Sequence, residues 1–206
     1  MAINKDSNTY TISFAIILVV LVGGLLAMIA NGLKPLQDEN LVNEKKQNIL
    51  NCLPGNKLIN RDEAGSLFAD YVKQRLILDY NGDVKENTLL DNSTELNNKN
   101  SYDAFSIDLL KEYKTIKDEK IRNYPLYICE VDGKTYYVAP VMGKGLWAAV
   151  WGFIAIDESG NEISGTVFDH KSETPGLGAE ISQDFFEDQF IGKLISNNED
   201  YKPVEV

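Results

Sequence analysis

Leu126-Tyr127-Ile128-Cys129-Glu130-Val131, then Asp132-Gly133-Lys134, then Thr135-Tyr136-Tyr137-Val138-Ala139-Pro140-Val141 is the stretch that sets the fold class. Both outer runs are rich in β-branched and aromatic residues. Asp-Gly between two such runs is a strong hairpin signal, because the tight turn needs positive φ at its centre. Downstream, Trp147–Ile156 and Glu162–Phe168 are further strand candidates, with a turn at Glu158–Asn161. Upstream, Val72–Leu78 is a strand candidate and Asn81-Gly82-Asp83 a turn. Consecutive antiparallel strands on short turns predict a twisted sheet. Helical pieces surround it, so the fold class is α+β.

Those helices are read from spacing and caps. Leu36–Leu53 is polar with apolar Leu41, Val42, Ile49 and Leu50, and Pro54-Gly55 ends it. Asp62–Phe68 predicts a short helix capped by Asp62. Phe185 or Phe186, Phe190 and Leu194 recur at helical spacing, with Ser182 as N-cap and Asp184 in the first turn. Residues 85–123 are polar, with Asn97-Asn98-Lys99-Asn100 and alternating charges from Lys111 to Lys120. They read as surface loop with short helical pieces and no site.

Ser7 to Leu33 carries no charged residue, and Ile12–Ala30 is almost wholly apolar. That is close to the roughly 20 residues needed to span a bilayer. Lys5 is offset by Asp6 and no small-x-small site closes the segment, so a retained anchor fits better than a cleaved signal. Gly23 and Ala27 permit close packing on another helix, or simply face lipid. The expected organisation is a tail at 1–10, a transmembrane helix at 11–30, a juxtamembrane helix and linker at 31–60, and one domain at 61–206.

Composition excludes several function classes. The net charge of −11 argues against nucleic acid, which needs a basic surface. A single histidine, His170, rules out multi-histidine metal sites, and two separated cysteines, Cys52 and Cys129, rule out zinc and iron–sulfur frameworks. No metal is expected. A Cys52–Cys129 disulfide stays open, although Cys129 inside an apolar strand suits an unpaired thiol. Glu187 and Asp188 fit a solvated helix surface. No nucleophile stands beside His170, so any chemistry must come from a bound cofactor.

Two glycine-rich loops could hold one. Ser172-Glu173-Thr174-Pro175-Gly176-Leu177-Gly178 follows the last strand, and Gly143-Lys144-Gly145-Leu146-Trp147 lies between two others. Pro175 fixes its own φ and biases Thr174 to extended geometry, while Gly176 and Gly178 let a ligand approach main chain. Glu173 and Thr174 would supply polar contacts. Lys144 could meet an anion, and Trp147 could stack on a planar ring or sit in the sheet core. Neither loop is a P-loop or a dinucleotide fingerprint.

The 172–178 loop closely resembles the E-T-P-G-L-G loop of FMN-binding domains in sodium-pumping and Rnf-type respiratory complexes. The 143–147 loop, with Trp151-Gly152-Phe153 after it, is similar to the branch formed by the C subunit of the Na⁺-translocating NADH:quinone reductase. Leu33-Lys34-Pro35-Leu36-Gln37, Lys46-Gln47-Asn48-Ile49-Leu50 and Gln189-Phe190-Ile191-Gly192-Lys193-Leu194 extend the likeness over nearly the whole chain. The resemblance implies a flavoprotein electron-transfer subunit, not catalytic alone, passing electrons towards quinone (ubiquinone) in a sodium-pumping complex. It implies an inner-membrane anchor with the domain on the extracytoplasmic side, and the other subunits and a flavin transferase as partners. By position, Glu173, Thr174, Gly176, Leu177 and Gly178 would lie along FMN, with Gly145, Leu146 and Trp147 flanking it. In the family the FMN phosphate is esterified to a threonine in [ST]-G-A-T. This sequence has no such motif, and Ser164-Gly165-Thr166-Val167 is a near miss in a strand. The attachment residue is therefore expected beyond Val206. The alternatives are the G subunit of the Rnf-type complex, and an anchored binding module without redox chemistry.

Overall fold

The computed structural model describes residues 7–55, 59–89, 103–197, 200, 201 and 204. The Asn97–Asn100 run and the Lys5/Asp6 pair lie outside them. The chain divides into two compact units, Met1–Val42 and Asn43–Val206. One helix, α1 (Asn8–Asn51), runs through Pro35 and contributes residues to both units. Within the first unit its apolar side chains, Ile12 to Leu33, are exposed. Among the described residues it is the one helix long and apolar enough to cross a membrane.

The second unit is built on a six-stranded antiparallel sheet, β1 (Val72–Leu78), β2 (Val84–Leu89), β3 (Tyr124–Val131), β4 (Lys134–Lys144), β5 (Ala149–Ile156) and β6 (Ile163–His170), in the order β2-β1-β3-β4-β5-β6. The expected hairpin is present: Val131 pairs with Lys134, and Asp132 and Gly133 take φ of 51° and 75°. Positive φ at both central positions gives the turn the twist of its strands. Along β3, Pro125, Tyr127 and Cys129 are buried in alternation, the period of a strand with one covered face.

Three sequence expectations shift. The 85–123 region has the expected short helical pieces but also contains a strand. Val84–Leu89 adds an edge strand to β1, and α3 (Leu109–Thr115) follows a single 3₁₀ turn at Ala104–Ser106. Its polar composition reflects exposure of that edge. The helix after the second glycine loop is broken into a 3₁₀ turn Gly178–Ser182, α4 (Asp184–Glu187) and a turn Asp188–Phe190, with Gln183 rather than Ser182 at the cap. Phe186 and Phe190 nevertheless pack on Phe168, with ring centroids 6.0 and 5.1 Å away. α2 (Arg61–Tyr71) starts earlier than expected, with Asn60 at the N-cap position but no side-chain cap bond, leaving Asp62 in its first turn.

The core forms where helices meet the sheet. Ile49, Leu50, Cys52 and Leu53 at the end of α1, Ala64 and Phe68 of α2, and Val72, Tyr127, Cys129, Val138 and Ala155 of the sheet are all buried. Each large apolar side chain buried this way contributes about 1.5–3 kcal/mol. Gly165 lacks a side chain where the Cys52 carbonyl presses on β6, so a Cβ there would collide with main chain. Both cysteines are free and buried. Burial pushes the Cys129 thiol up to about 12 and raises that of Cys52. A short ribbon, β7 (Ser196–Asn197) and β8 (Asp200–Tyr201), follows.

Candidate functional site

The two glycine loops arise at strand ends. β4 runs to Lys144 and β5 begins at Ala149, so residues 145–148 are the connection. The Gly145 N–H donates to the Ala148 carbonyl at 2.7 Å and closes that turn. Trp147 therefore belongs to the loop and not to a strand, and it is 70% exposed rather than part of the sheet core. Leu146 beside it is 81% exposed.

The second loop leaves β6 at His170. The His170 Nδ1 accepts the Glu173 N–H at 3.2 Å. The Thr174 carbonyl accepts from the Leu177 and Ala179 N–H groups at 3.1 and 3.2 Å, wrapping the chain around Pro175-Gly176. Gly176 takes φ of 76°, and its N–H donates to Glu180 Oε1 at 2.7 Å. Leu177 at the tip is 71% exposed, and Thr174 is exposed with no hydrogen bond of its hydroxyl among the described residues.

Glu173 joins the loops. Its side chain turns inward, leaving the residue 7% exposed. Oε1 accepts the N–H groups of Trp147 at 3.0 Å and Ala148 at 3.1 Å. These bonds, first from Ala148 and then from Trp147, hold the carboxyl below the usual glutamate range. A Cβ on Gly145 would collide with Glu173 Oε1, and one on Gly178 would lie 2.8 Å from Oε2. Both glycines thus leave the space this carboxylate fills.

The structure brings Gly145, Trp147, Glu173 and Gly178 together around one carboxylate, and it leaves Leu146, Trp147, Leu177 and Thr174 exposed at the loop surfaces. Glu173 is not a solvated loop carboxylate. Ala148, His170 and Glu180 also hold the loops and escaped the sequence reading. His170, three residues before Glu173, offered the one usable signal, since a polar side chain at that spacing can bond main chain in a turn. Glu187 departs from its expected solvated place. It is buried, its Oε1 accepts the Phe168 N–H at 2.7 Å, and its carbonyl accepts the Thr166 hydroxyl at 2.9 Å.

Among the described residues no cluster of His, Cys, Asp or Glu could hold a metal ion. A polar cavity of about 230 Å³ lies elsewhere, between Asn48 and Asn51 of α1, Phe168 and Asp169 of β6, and Ser182 and Asp184. It includes neither glycine loop. The loops offer exposed apolar faces, main-chain approach and one free hydroxyl, an arrangement that suits a planar apolar ring with polar substituents.

Residues 145–204 match the FMN-binding domain family, a span that opens on Gly145 and takes in both loops except Gly143 and Lys144. The chain is 31% identical over 206 residues to the Na(+)-translocating NADH-quinone reductase C subunit of Vibrio alginolyticus, covering 98% of this chain and 78% of that protein. It is 28% identical over 194 residues to the corresponding C subunit of Neisseria meningitidis serogroup A, covering 93% and 74%. The crystal structure of the C subunit from Parabacteroides distasonis matches with a TM-score of 0.67 and 31% identity, over 82% of this chain and 74% of that one. Shewanella oneidensis NqrC shares the fold, with a TM-score of 0.54 at 24% identity.

Proposed function

This chain belongs to the C-subunit family of the Na⁺-translocating NADH-quinone reductase, and we propose that it is the membrane-anchored FMN electron-transfer subunit of that complex. The single observation that carries the reading is the pair of glycine loops joined through Glu173, with Leu146, Trp147 and Leu177 exposed on them. These residues fit FMN. The isoalloxazine ring is planar with apolar faces, which suits an exposed indole and two leucines. The Thr174 hydroxyl and the main chain at Gly176 and Gly178 offer polar edges, and Lys144, also exposed, suits an anion.

FMN supplies the electron transfer that no side chain here provides. The residues of this chain bind the ring, orient it and shield it from water. We place the electron path towards quinone, the domain on the extracytoplasmic side of the inner membrane, and residues 11–30 of α1 in the bilayer. A flavin transferase would make the phosphate ester to threonine. Thr166 is a poor candidate for that link, because it is fully buried and its hydroxyl already donates to the Glu187 carbonyl.

The test uses membranes of the organism that encodes the chain. Deleting its gene should abolish Na⁺-stimulated NADH:quinone reductase activity, and supplying the gene in trans should restore it. An unchanged rate overturns the assignment. Loss of ferredoxin-dependent NAD reduction instead would assign the chain to an Rnf-type complex.

A further inference from the structure

We propose that Glu173 is a positioning residue: it fastens the two glycine loops into one ligand-ready surface before any ligand arrives. The inference rests on the reading that these loops hold FMN, but the fastening itself does not need FMN.

The geometry is that of a clip. The two N–H donors stand 26 and 25 residues away in sequence, on the connection between β4 and β5, while Glu173 stands beyond β6. One oxygen accepts both. Charge-assisted bonds of this kind are about twice as strong as neutral ones. The carboxylate lies with Oε1 at Gly145 and Oε2 at Gly178, so each loop gives up a side chain to admit it. The main chain of Glu173 is held in turn by the His170 ring. Removing the carboxylate would leave the Trp147 and Ala148 N–H groups unpaired by protein and the space between two glycines unfilled. The loops would then adopt many relative positions, and a ligand would have to order them at a cost to its affinity. Leu146, Trp147 and Leu177 act on the ligand directly, whereas Glu173 acts through them.

Gly178 makes the clip testable apart from overall folding. The three atoms nearest to a Cβ built on Gly178 all belong to Glu173, and Gly178 does not need positive φ. Gly178→Ala should therefore disturb the protein through Glu173. In a Glu173→Ala background only the Cβ of residue 173, 3.2 Å away, remains beside it, so the same substitution should have a smaller further effect and the double-mutant cycle shows coupling.

The experiment takes the full chain without FMN, in a Trp151→Phe background so that Trp147 is the one remaining indole of two. Amide exchange at Trp147 and Ala148, acrylamide quenching of Trp147 and the affinity for added FMN are read for wild type, Glu173→Ala, Glu173→Gln, Gly178→Ala and the double variant. Glu173→Ala should speed exchange of both amides and weaken FMN binding, each by about tenfold or more, with the thermal midpoint of the domain nearly unmoved. Glu173→Gln keeps an acceptor oxygen and should restore part of the protection. If the amides stay protected in Glu173→Ala while FMN affinity falls, Glu173 contacts the ligand and the proposal is overturned. Additive effects of Glu173→Ala and Gly178→Ala overturn it as well. If the amides lose protection but the wild-type chain shows no affinity for added FMN, the clip stands and the flavin reading fails.

Discussion

The Arg75 guanidinium of β1 lies 2.7 Å from the Asp103 carboxylate, Nη2 to Oδ2, with both side chains buried. Asp103 comes from the polar 85–123 stretch, where no site was expected. Its other oxygen accepts the Phe105 N–H at 2.9 Å and caps the 3₁₀ turn. Among the described residues the Nε and Nη1 groups of Arg75 have no hydrogen-bond partner, so the pair is the main compensation for that buried charge. Asp103→Asn keeps a capping oxygen but strands the guanidinium. Arg75→Met strands the carboxylate. Each single change should cost about 3–5 kcal/mol in denaturant unfolding, and the double change should cost less than the two summed. Additive losses would show that the ion pair has no part in the stability.

Glu187 closes the outer edge of the sheet. β6 has β5 on one side only, and the Glu187 carboxylate takes up the Phe168 N–H that a further strand would otherwise bind. Glu187→Ala should destabilise the domain by about 1–3 kcal/mol, the cost of leaving a part-buried donor unpaired. Hydrogen exchange at Phe168 should accelerate more than exchange in β3 or β4. Equal acceleration throughout the sheet would mean global destabilisation without a specific edge role.

Lys45 of α1 donates to the carbonyls of Phe105 at 2.6 Å and Ile107 at 3.4 Å, and its ammonium lies 4.7 Å from the Phe105 ring centroid. Burial lowers its pKa from 10.5 to about 8, against the carboxylates of Asp103 and Asp108, which raise it, and with a smaller lowering from Arg75. Between those values the unfolded chain binds more protons than the folded one, so this group makes stability rise from about pH 8 to 10.5. Cys52, Cys129 and Tyr127 act in the opposite sense, because burial raises their pKa and keeps them neutral in the fold. The difference between wild type and Lys45→Met isolates the lysine. Wild type should gain stability relative to the variant over that interval, read from urea midpoints. A constant difference would refute the assignment.

Glu173 gives a pH signature of the same sign at the acid end. Its carboxyl is depressed below the ordinary value of 4.5, so its contribution is complete above that value and is lost as pH falls through the folded pKa. Trp147 emission in the Trp151→Phe protein should therefore hold steady from neutral pH to about 4.5 and shift only below it. A transition well above pH 4.5 would refute the assignment.

Much of the architecture was legible locally. The Asp132-Gly133 turn, the β1 span Val72–Leu78, the hairpin strands and the single apolar helix follow from turn chemistry and residue type. The edge strand β2 was not legible, because an exposed strand carrying Lys85, Glu86 and Asn87 has the composition of a loop. The helix after the glycine loop failed for a related reason. Phe186 and Phe190 satisfy both a helical spacing and their actual packing through two short turns on Phe168. Trp147 lies next to a strand sequence, and only the closing bond from Gly145 to Ala148 sets it outside that strand.

By itself the sequence determined the long apolar N-terminal helix, the antiparallel α+β frame and the two loops of the candidate site, because apolar length, turn residues and glycine placement act over a few neighbouring positions. The tertiary structure alone decided what the charged residues do. Glu173, Glu187, Asp103 and Lys45 each resemble a solvated side chain in the sequence, yet each is drawn inward by donors or acceptors distant along the chain. A charge is retained in the interior only where such partners converge, and that convergence is a property of the fold.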